Sequence, residues 1–254
     1  MLKQERHHII LSMLREKRAV SVQELTVMLG AAESTIRRDL VLLAEQGHLN
    51  KVHGGATATG NRYLTGEEYV EVKKDLNLSE KQDIARYAAS LITAEDFVYI
   101  DAGTTTQVLC DAIAQTKAVF VTNGVIHAKK LAAKNCTVYI VGGQLKSKTE
   151  AIIGSEATET LMKYNFTKGF FGVNGISVKA GYTAPDAGEA MIKKVALPRC
   201  LEVYVLADSS KFHMIAPITY AKLGEAAIIT SLRPEEEFFE QTRVIYTKES
   251  GRNK

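Results

Sequence analysis

From about residue 81 onward, the sequence alternates regularly between helical segments and short runs that are apolar throughout. Helices are predicted at KQDIARYAASLI, TTTQVLCDAIAQ and GVIHAKKLAAK, and near residues 155–164 and 186–197. Strands are predicted at DFVYIDAG, AVFVTN, CTVYIVGG, KGFFGVNGI, LEVYVLAD, EAAIIT and TRVIYT. Apolar strands separated by helices are typical of a parallel sheet that helices cover on both faces. We therefore expect residues 81–254 to form one α/β domain.

The first 57 residues follow a different pattern, which begins with two short helices. The first is predicted over residues 3–16 by apolar side chains at helical spacing, namely Ile9, Ile10, Met13 and Leu14. The second is predicted to start after Ser21, which has Glu24 three residues later, as in a capping box. Its expected apolar face consists of Val22, Leu25, Met28 and Leu29.

A turn and a third helix follow. Gly30 offers the turn, and the third helix is predicted from Glu33 to Glu45, with Gly47 ending it. Three short helices with a tight turn between the second and the third predict a helix-turn-helix.

The segment HLNKVHGGATA after this helix has the pattern of a β-hairpin wing. Leu49 and Val52 lie among basic residues, and Gly54-Gly55 offers a tight turn. We therefore expect residues 1–57 to form a winged helix-turn-helix. Residues 58–80 lack a sustained apolar period and are expected to be a linker, with some helix near residues 67–76.

The charge of the chain is distributed unevenly. Residues 1–62 hold 9 Lys and Arg against 6 Asp and Glu, whereas residues 63–254 hold 23 of each. Four of the six histidines also lie in the first segment. This asymmetry indicates a module that binds a polyanion, attached to a neutral body.

The third helix has the groups that a DNA major groove requires. On a wheel at about 100° per residue, its core side gathers Ile36, Leu40 and Leu43. The opposite side carries Ser34, Arg38, Val41 and Glu45, flanked by Arg37 and Thr35. Arginine can pair with guanine, and hydroxyls can bind phosphates or base edges. Asp39 lies nearer the core, where we expect it to pair with an arginine or with the second helix.

We expect eight residues to bind DNA, on the third helix and on the wing. Two arginines on a solvent-facing helix are common in proteins that do not bind DNA. The interpretation therefore depends on the three helices, the wing and the local charge together. The residues are Ser34, Thr35, Arg37, Arg38, Lys51, His53, Gly54 and Gly55.

Polar residues gather where the predicted strands end. In DAGTTT, a glycine and three threonines open a helix, and the first-turn N–H groups there suit a phosphate. Ligands of open α/β sheets bind at the carboxyl ends of strands. The candidates at these ends are Asp101, Gly103, Thr104, Thr105, Thr106, Asn123, Gly143 and Asn174.

Four further residues are weaker candidates. Lys211 could pair with a phosphate, although an isolated surface lysine is the ordinary alternative. Asp186 and Glu189 have capping-box spacing, so helix capping explains them on its own. Lys193 lies one turn later and could be a solvated charge.

Several other functions are not supported by the sequence. Cys110, Cys136 and Cys200 are odd in number and lie among apolar residues, which indicates reduced thiols rather than disulfides or a metal site. No run approaches the roughly 18 apolar residues of a membrane span. We expect a cytoplasmic protein without a catalytic site, metal or cofactor.

The segment STIRRDLVLLAEQGHLNKVHGGA resembles the winged helix-turn-helix of DeoR-family bacterial transcriptional regulators. The resemblance continues through YIDAGTTT, VTNGV, VGGQL, GVNGI and ADSSKF, and so covers nearly the whole chain. One departure is Ala32, where family members usually have a capping serine. Since the loss of an N-cap typically costs about 1 kcal/mol, we expect Glu33 or Ser34 to cap the helix one or two residues later.

The resemblance implies an effector domain similar in fold to ribose-phosphate isomerases, which senses a phosphorylated sugar. It also implies that the region of Asp186 and Glu189 contributes to the effector pocket. The segments GYTAPD and DAGTTT are most similar to members that respond to fructose phosphates.

We therefore expect a repressor of a carbohydrate-uptake or catabolic operon, which a phosphorylated sugar releases from double-stranded operator DNA. A homodimer or homotetramer is expected, because dimers place two reading helices about one DNA turn apart. One alternative is a sugar-phosphate isomerase with an appended DNA-binding module, but Asn174 in GVNGI cannot act as its base. The other alternative is a winged helix used only for protein contacts.

Overall fold

The computed structural model describes residues 3–17, 19–46, 48–58, 62–64 and 70–247. The chain divides into two compact units, residues 1–62 and residues 63–254. The division falls inside the segment that we expect to be a linker, and the limits of that linker stay a prediction. No helix among the described residues is long and apolar enough to cross a membrane.

The described residues of the first unit form three helices and a small antiparallel sheet. The helices are α1 (Lys3–Lys17), α2 (Val22–Leu29) and α3 (Glu33–Glu45). The strands are β1 (Ala19–Ser21), β2 (Leu49–Val52) and β3 (Gly55–Ala58), in the order β1-β3-β2. All three predicted helices and the hairpin are confirmed, whereas β1 was not predicted. The core consists mainly of Ile10, Leu25, Leu29, Ile36, Leu40, Leu43 and Leu49.

The helix α2 begins and ends as predicted, but its buried face contains one residue fewer than the predicted apolar face. The Ser21 hydroxyl accepts a hydrogen bond from the Glu24 N–H at 3.0 Å, and Gly30 ends the helix with φ +58°. Met28 was expected in the core, but its side chain is 55% exposed. At about 100° per residue, position 28 lies at the edge of the stripe that runs through the buried positions 22, 25 and 29. Gly47, the predicted end of α3, lies outside the described residues.

The second unit contains seven α-helices among its described residues. They are α4 (Val70–Lys73), α5 (Leu78–Ser90), α6 (Thr104–Ala112), α7 (Val125–Ala133), α8 (Ser155–Met162), α9 (Ala187–Ala196) and α10 (Glu236–Phe239). The helix α5 begins three residues before its predicted start. The helix α4 falls within the range where some helix was expected, and residues 67–69 of that range lie outside the described residues.

Within residues 70–247, seven strands form the central sheet. They are β5 (Phe97–Ile100), β6 (Val119–Thr122), β7 (Thr137–Ile140), β10 (Phe166–Gly172), β13 (Cys200–Leu206), β16 (Ala227–Thr230) and β17 (Val244–Tyr246). All seven were predicted. Their order is β17-β16-β13-β10-β5-β6-β7, and every neighbouring pair is parallel. The predicted parallel α/β sheet is therefore confirmed.

The strand order reverses between β5 and β10. From β5 the chain proceeds outward through β6 and β7, and from β10 it proceeds the other way through β13, β16 and β17. Such a reversal opens a crevice at the carboxyl ends of the two central strands, where open α/β sheets bind ligands. The topology therefore places a candidate site beyond Ile100 and Gly172.

Helices cover both faces of the sheet. Phe170 packs with residues of α5, α6 and α7, whereas the next residue, Phe171, packs with residues of α8 and α9. Successive side chains of a strand point to opposite faces, so these neighbours belong to two separate cores. Cys110 and Cys136 are buried free thiols, as predicted, and Cys200 is a half-buried one.

Several short strands were not predicted. They are β4 (Arg62–Tyr63), β8 (Gln144–Lys146), β9 (Ala151–Ile153), β12 (Gly181–Ala184), β14 (Met214–Ile215) and β15 (Ile218–Ala221). The predicted run KGFFGVNGI is divided between β10 and a separate short strand, β11 (Gly175–Ser177). The strands β8 and β9 form a hairpin, and β11, β12 and β15 form an antiparallel sheet. Most of these short strands mix polar residues or glycine with apolar ones, so they lack the continuous apolar runs that predicted the central strands.

Candidate functional site

The helix α3 presents the face that the wheel predicted. Ser34, Arg37 and Arg38 are exposed, and Thr35 is half-buried. Ile36 and Leu40 are buried on the opposite side. Within the described residues, Arg38 has no hydrogen-bond or ion-pair partner, so its guanidinium is available to a ligand.

The start of α3 corrects the expectation about its cap. The helix begins at Glu33 with Ala32 as N-cap, and no side chain there accepts a capping hydrogen bond. The start therefore does not shift to a later residue. Instead, the Glu33 carboxylate accepts a hydrogen bond from Arg37 Nε at 3.0 Å, an exposed i,i+4 pair. Such pairs contribute about 0.3–0.5 kcal/mol, which offsets part of the missing cap.

Asp39 holds the core side of α3 against α1. Its side chain is 4% exposed, and its carboxylate accepts hydrogen bonds from Arg6 Nε at 2.6 Å and Arg6 Nη2 at 3.2 Å. His7 Nε2 lies 3.1 Å from the same carboxylate. Although burial acts to raise it, these hydrogen bonds hold the pKa of Asp39 below its usual value. The expected pairing with an arginine is confirmed, and the arginine comes from α1.

The wing places Lys51 and His53 in solvent. Its two-residue turn is His53-Gly54, with Gly54 at φ +80°, so the predicted Gly54-Gly55 turn is displaced by one residue. Gly55 instead belongs to β3. A Cβ there would lie 2.2 Å from the Val20 carbonyl oxygen, and this glycine is therefore required by the close approach of β1.

In the second unit, Asp101 and Lys193 form a buried ion pair where the strand order reverses. Both side chains are 3% exposed, and Lys193 Nζ donates to Asp101 Oδ2. The same Asp101 oxygen accepts the Gly172 N–H at 3.0 Å, while Lys193 Nζ donates to the Gly172 carbonyl at 3.2 Å. Lys193 is therefore not a solvated charge. Burial raises the pKa of Asp101, against the opposing effect of Lys193.

The DAGTTT segment opens α6 beside this pair. The backbone carbonyl of Gly103 accepts the Thr106 hydroxyl at 2.9 Å, so that hydroxyl serves the helix end. Thr105 is also buried, and Thr104 remains half-buried. His127 Nε2 lies 3.1 Å from the Gly103 carbonyl and 3.0 Å from Thr106 Oγ1. His127 was not predicted, because a single histidine in a helix gives no signal in the sequence.

Asn123 joins three strand ends through its buried side chain. Its Oδ1 accepts hydrogen bonds from the Tyr99 hydroxyl at 3.0 Å and the Ala102 N–H at 2.9 Å. Its Nδ2 donates to the Ile152 carbonyl at 3.2 Å. These contacts give Asn123 a structural role at the predicted site, and its contact with an effector stays a prediction.

Gly143 and Asn174 lie at the ends of their strands as expected. Gly143 has φ +139°, and a Cβ there would lie 2.6 Å from the Ile153 carbonyl oxygen, so this backbone position requires glycine. Asn174 is half-buried two residues after Gly172, and its N–H donates to the Thr183 carbonyl at 3.3 Å.

The start of α9 carries a second polar cluster. Asp186 caps the helix by accepting the Glu189 N–H at 2.9 Å, as its spacing predicted. The Glu189 carboxylate accepts hydrogen bonds from the Thr149 hydroxyl at 2.5 Å and from Lys146 Nζ at 3.2 Å. Lys146 also lies 3.1 Å from Asp186 Oδ2. Lys146 and Thr149 were not predicted, because both lie in the β8–β9 hairpin.

Lys211 lies in a third cluster, beyond the end of β13. Its Nζ is 3.9 Å from Asp208 Oδ2, and Asp208 is 1% exposed. Lys81, on α5, is also buried beside Asp208, and burial lowers the pKa of Lys81 to about 8. Glu80 accepts the Ser209 N–H at 2.8 Å and fixes this turn to α5. Lys81 was not predicted, because a helical lysine is normally exposed.

Known families match both units. The DeoR-like helix-turn-helix domain matches residues 6–61, and the DeoR C terminal sensor domain matches residues 76–231. The chain belongs to the DeoR family. It is a DNA-binding transcriptional regulator, as the resemblance implied.

Relatives of this DeoR-family chain are similar over nearly their whole length. The HTH-type transcriptional regulator FruR of Bacillus subtilis (strain 168) is 43% identical over 239 residues, 94% of each chain. The lactose phosphotransferase system repressor of Staphylococcus aureus (strain N315) is 31% identical over 241 residues, 93% of this chain and 95% of that protein. These relatives are named as regulators, and the DeoR-family chain is a regulator rather than an isomerase.

Solved structures with a similar fold include ribose 5-phosphate isomerase A from Methanocaldococcus jannaschii. It has 13% identity and a TM-score of 0.41 over 54% of this DeoR-family chain and 55% of that chain. The strand order and the strand pairing establish the α/β fold of this chain.

Proposed function

We propose that this DeoR-family protein represses a carbohydrate-uptake or catabolic operon and leaves its operator when a phosphorylated sugar binds the second unit. The observation that carries this proposal is the Asp101–Lys193 pair at the reversal of strand order. A buried ion pair is costly to desolvate, so it is weak evidence for a purely stabilising role. At a crevice where α/β sheets bind ligands, the pair can instead recognise a polar ligand.

The chemistry around the pair suits a sugar phosphate. Lysines can bind phosphate oxygens, and carboxylates can accept hydrogen bonds from sugar hydroxyls. The first-turn N–H groups of α6 supply further donors for an anion. We propose effector contacts for Asp101, Gly103, Thr104, Thr105, Thr106, Asn123, Gly143, Asn174, Asp186, Glu189, Lys193 and Lys211, and add Lys81 and Lys146.

A carbohydrate operon is supported by the name of one relative, the lactose phosphotransferase system repressor. We propose a fructose phosphate as the effector, because GYTAPD and DAGTTT resemble the members that respond to this sugar. We also propose a homodimer or homotetramer, since one helix-turn-helix gives little specificity alone. Operator contacts are assigned to Ser34, Thr35, Arg37, Arg38, Lys51, His53, Gly54 and Gly55.

The proposal is tested by thermal unfolding of the full chain with fructose 1-phosphate, fructose 6-phosphate, glucose 6-phosphate, inorganic phosphate and unphosphorylated fructose. A ligand of the native state stabilises by about 2.7 kcal/mol at 100 times its Kd. We expect one sugar phosphate to raise the melting temperature and to release DNA that the chain has selected from a random library. Equal stabilisation by unphosphorylated fructose, or none by any phosphate, would overturn the proposed effector class.

A further inference from the structure

The segment that precedes α5, residues 70–77 of the second unit, is held in place by a hydrogen bond from Lys81. Lys81 is 2% exposed, and its Nζ donates a hydrogen bond of 2.5 Å to the backbone carbonyl of Lys73. Lys73 is the last residue of α4, where carbonyl groups have no partner within the helix. One buried ammonium group therefore closes the segment between residues 73 and 81 into a loop.

Two further contacts fasten the same segment. Asn77 has φ +53°, and its Nδ2 donates to Asp208 Oδ1 at 3.0 Å. At the other end, the Val70 N–H donates to the Lys148 carbonyl in the β8–β9 turn at 3.3 Å. A non-glycine residue with positive φ persists where surrounding contacts hold it. The segment is thus held in a defined conformation by tertiary contacts rather than by its own short helix.

The groups that fasten this segment are also those of the third polar cluster. The Asp208 carboxylate accepts a hydrogen bond from Asn77, and its negative charge acts to raise the pKa of Lys81. Its Oδ2 also lies 3.9 Å from Lys211 Nζ. Of the acceptors available to a buried ammonium, a phosphate oxygen is stronger than a neutral backbone carbonyl. A phosphorylated ligand at Lys211 would therefore compete with Lys73 for the ammonium of Lys81.

We propose that Lys81 is a positioning residue that couples effector occupancy to the segment leading to the DNA-binding unit. Without a ligand, the Lys81 ammonium donates a hydrogen bond to the Lys73 carbonyl and holds residues 70–77 in place. With a phosphorylated ligand, its ammonium turns to the phosphate, and residues 70–77 are released. This inference rests on the proposed function, because it requires a phosphorylated effector. The ligand shifts the population because it binds the released arrangement more tightly.

Hydrogen exchange of the full chain tests the contact without any ligand. The readout is the exchange rate of peptides that span residues 70–77, which include the Lys74 N–H bonded to the Val70 carbonyl. We expect Lys81→Met to raise this rate at least tenfold. Lys74→Met is the matched control, because Lys74 is exposed and loses the same charge. Lys81→Arg retains the cation and is expected to keep the wild-type rate.

A second arm adds inorganic phosphate or fructose 1-phosphate. The wild type is expected to exchange as fast as Lys81→Met at residues 70–77, and Lys81→Met to show no further rise. If residues 70–77 exchange equally fast in Lys81→Met and in the unliganded wild type, Lys81 does not hold this segment in place. Stabilisation by a sugar phosphate without faster exchange would overturn only the coupling. If no sugar phosphate stabilises the chain, the proposed function fails and the coupling fails with it.

Discussion

Lys193 on α9 and Asp101 at the end of β5 form an ion pair in which each side chain is 3% exposed. The pair joins one helix to the two central strands, since both side chains also bind the backbone of Gly172. A helix on one face of the sheet is thereby connected to the point where the strand order reverses. The pair is therefore one of the contacts that hold α9 against the central strands.

Asp101→Asn is expected to destabilise the protein by about 3–5 kcal/mol, because it leaves the Lys193 charge buried without a compensating carboxylate. Urea unfolding of the full chain measures the change. The matched control is Asp111→Asn, which breaks the pair with Lys130 at a site where Asp111 is 52% exposed. That variant is expected to lose less than about 1 kcal/mol. Equal losses in the two variants would contradict the buried role of Asp101.

Arg38→Ala is expected to weaken operator binding by about 10- to 100-fold, the effect of removing one base-reading arginine. Arg37→Ala is expected to have a smaller effect, because Arg37 shares its guanidinium with Glu33. Fluorescence anisotropy over a range of salt concentrations measures both. Arg86→Ala, at a side chain 70% exposed in the second unit, is the control and should bind normally. Unchanged affinity and salt dependence in both α3 variants would remove this helix as the DNA reader.

Ala32→Ser is expected to stabilise the first unit by about 1 kcal/mol, the usual contribution of an N-cap hydroxyl. The backbone at Ala32 already has the extended conformation of a cap, with φ −58° and ψ 143°. Chemical unfolding measures the gain. Ala31→Ser is the control, because a residue before the cap position adds no capping hydroxyl. A gain from Ala31→Ser as large as that from Ala32→Ser would show that capping is not its cause.

The buried imidazole of His127 is expected to make the protein less stable in mild acid. Burial lowers the pKa of His127 to about 4 from a usual value of 6.5, so the unfolded chain binds a proton more readily than the folded one. Above pH 6.5 the imidazole is neutral in both the folded and the unfolded chain, so protonation does not reduce the free energy of unfolding. This free energy falls as the pH drops from 6.5 towards 4, because only the unfolded chain then binds the proton. At 1.36 kcal/mol per pKa unit, the loss is about 2 kcal/mol by pH 5.

Urea unfolding between pH 7 and pH 5 measures this loss, with His127→Gln as the variant in which the contribution is absent. NMR titration of the ring resonances reports the protonation state directly. A His127 resonance that titrates near pH 6.5 would contradict the expected neutral state.

The periodic parts of the fold were predictable. The central strands are mostly apolar because helices cover both faces of the sheet, and this composition is visible in the chain without any knowledge of contacts. Strands such as β1 (AVS) and β8 (QLK) have no continuous apolar run, and they form because a partner strand is nearby. Lys146 and Thr149 were missed for that reason, since they reach α9 only through the β8–β9 hairpin.

The sequence by itself determined the order of helices and strands, the concentration of positive charge in the first quarter and the polar residues at the strand ends. These features depend on residue type and local spacing, which a linear chain displays. Only the tertiary structure decided which charges are buried and what they contact. Lys193 and Lys81 look like solvated lysines in the sequence, and they lie buried at the carboxyl edge of the sheet. Burial depends on contacts between distant segments, which no local pattern records.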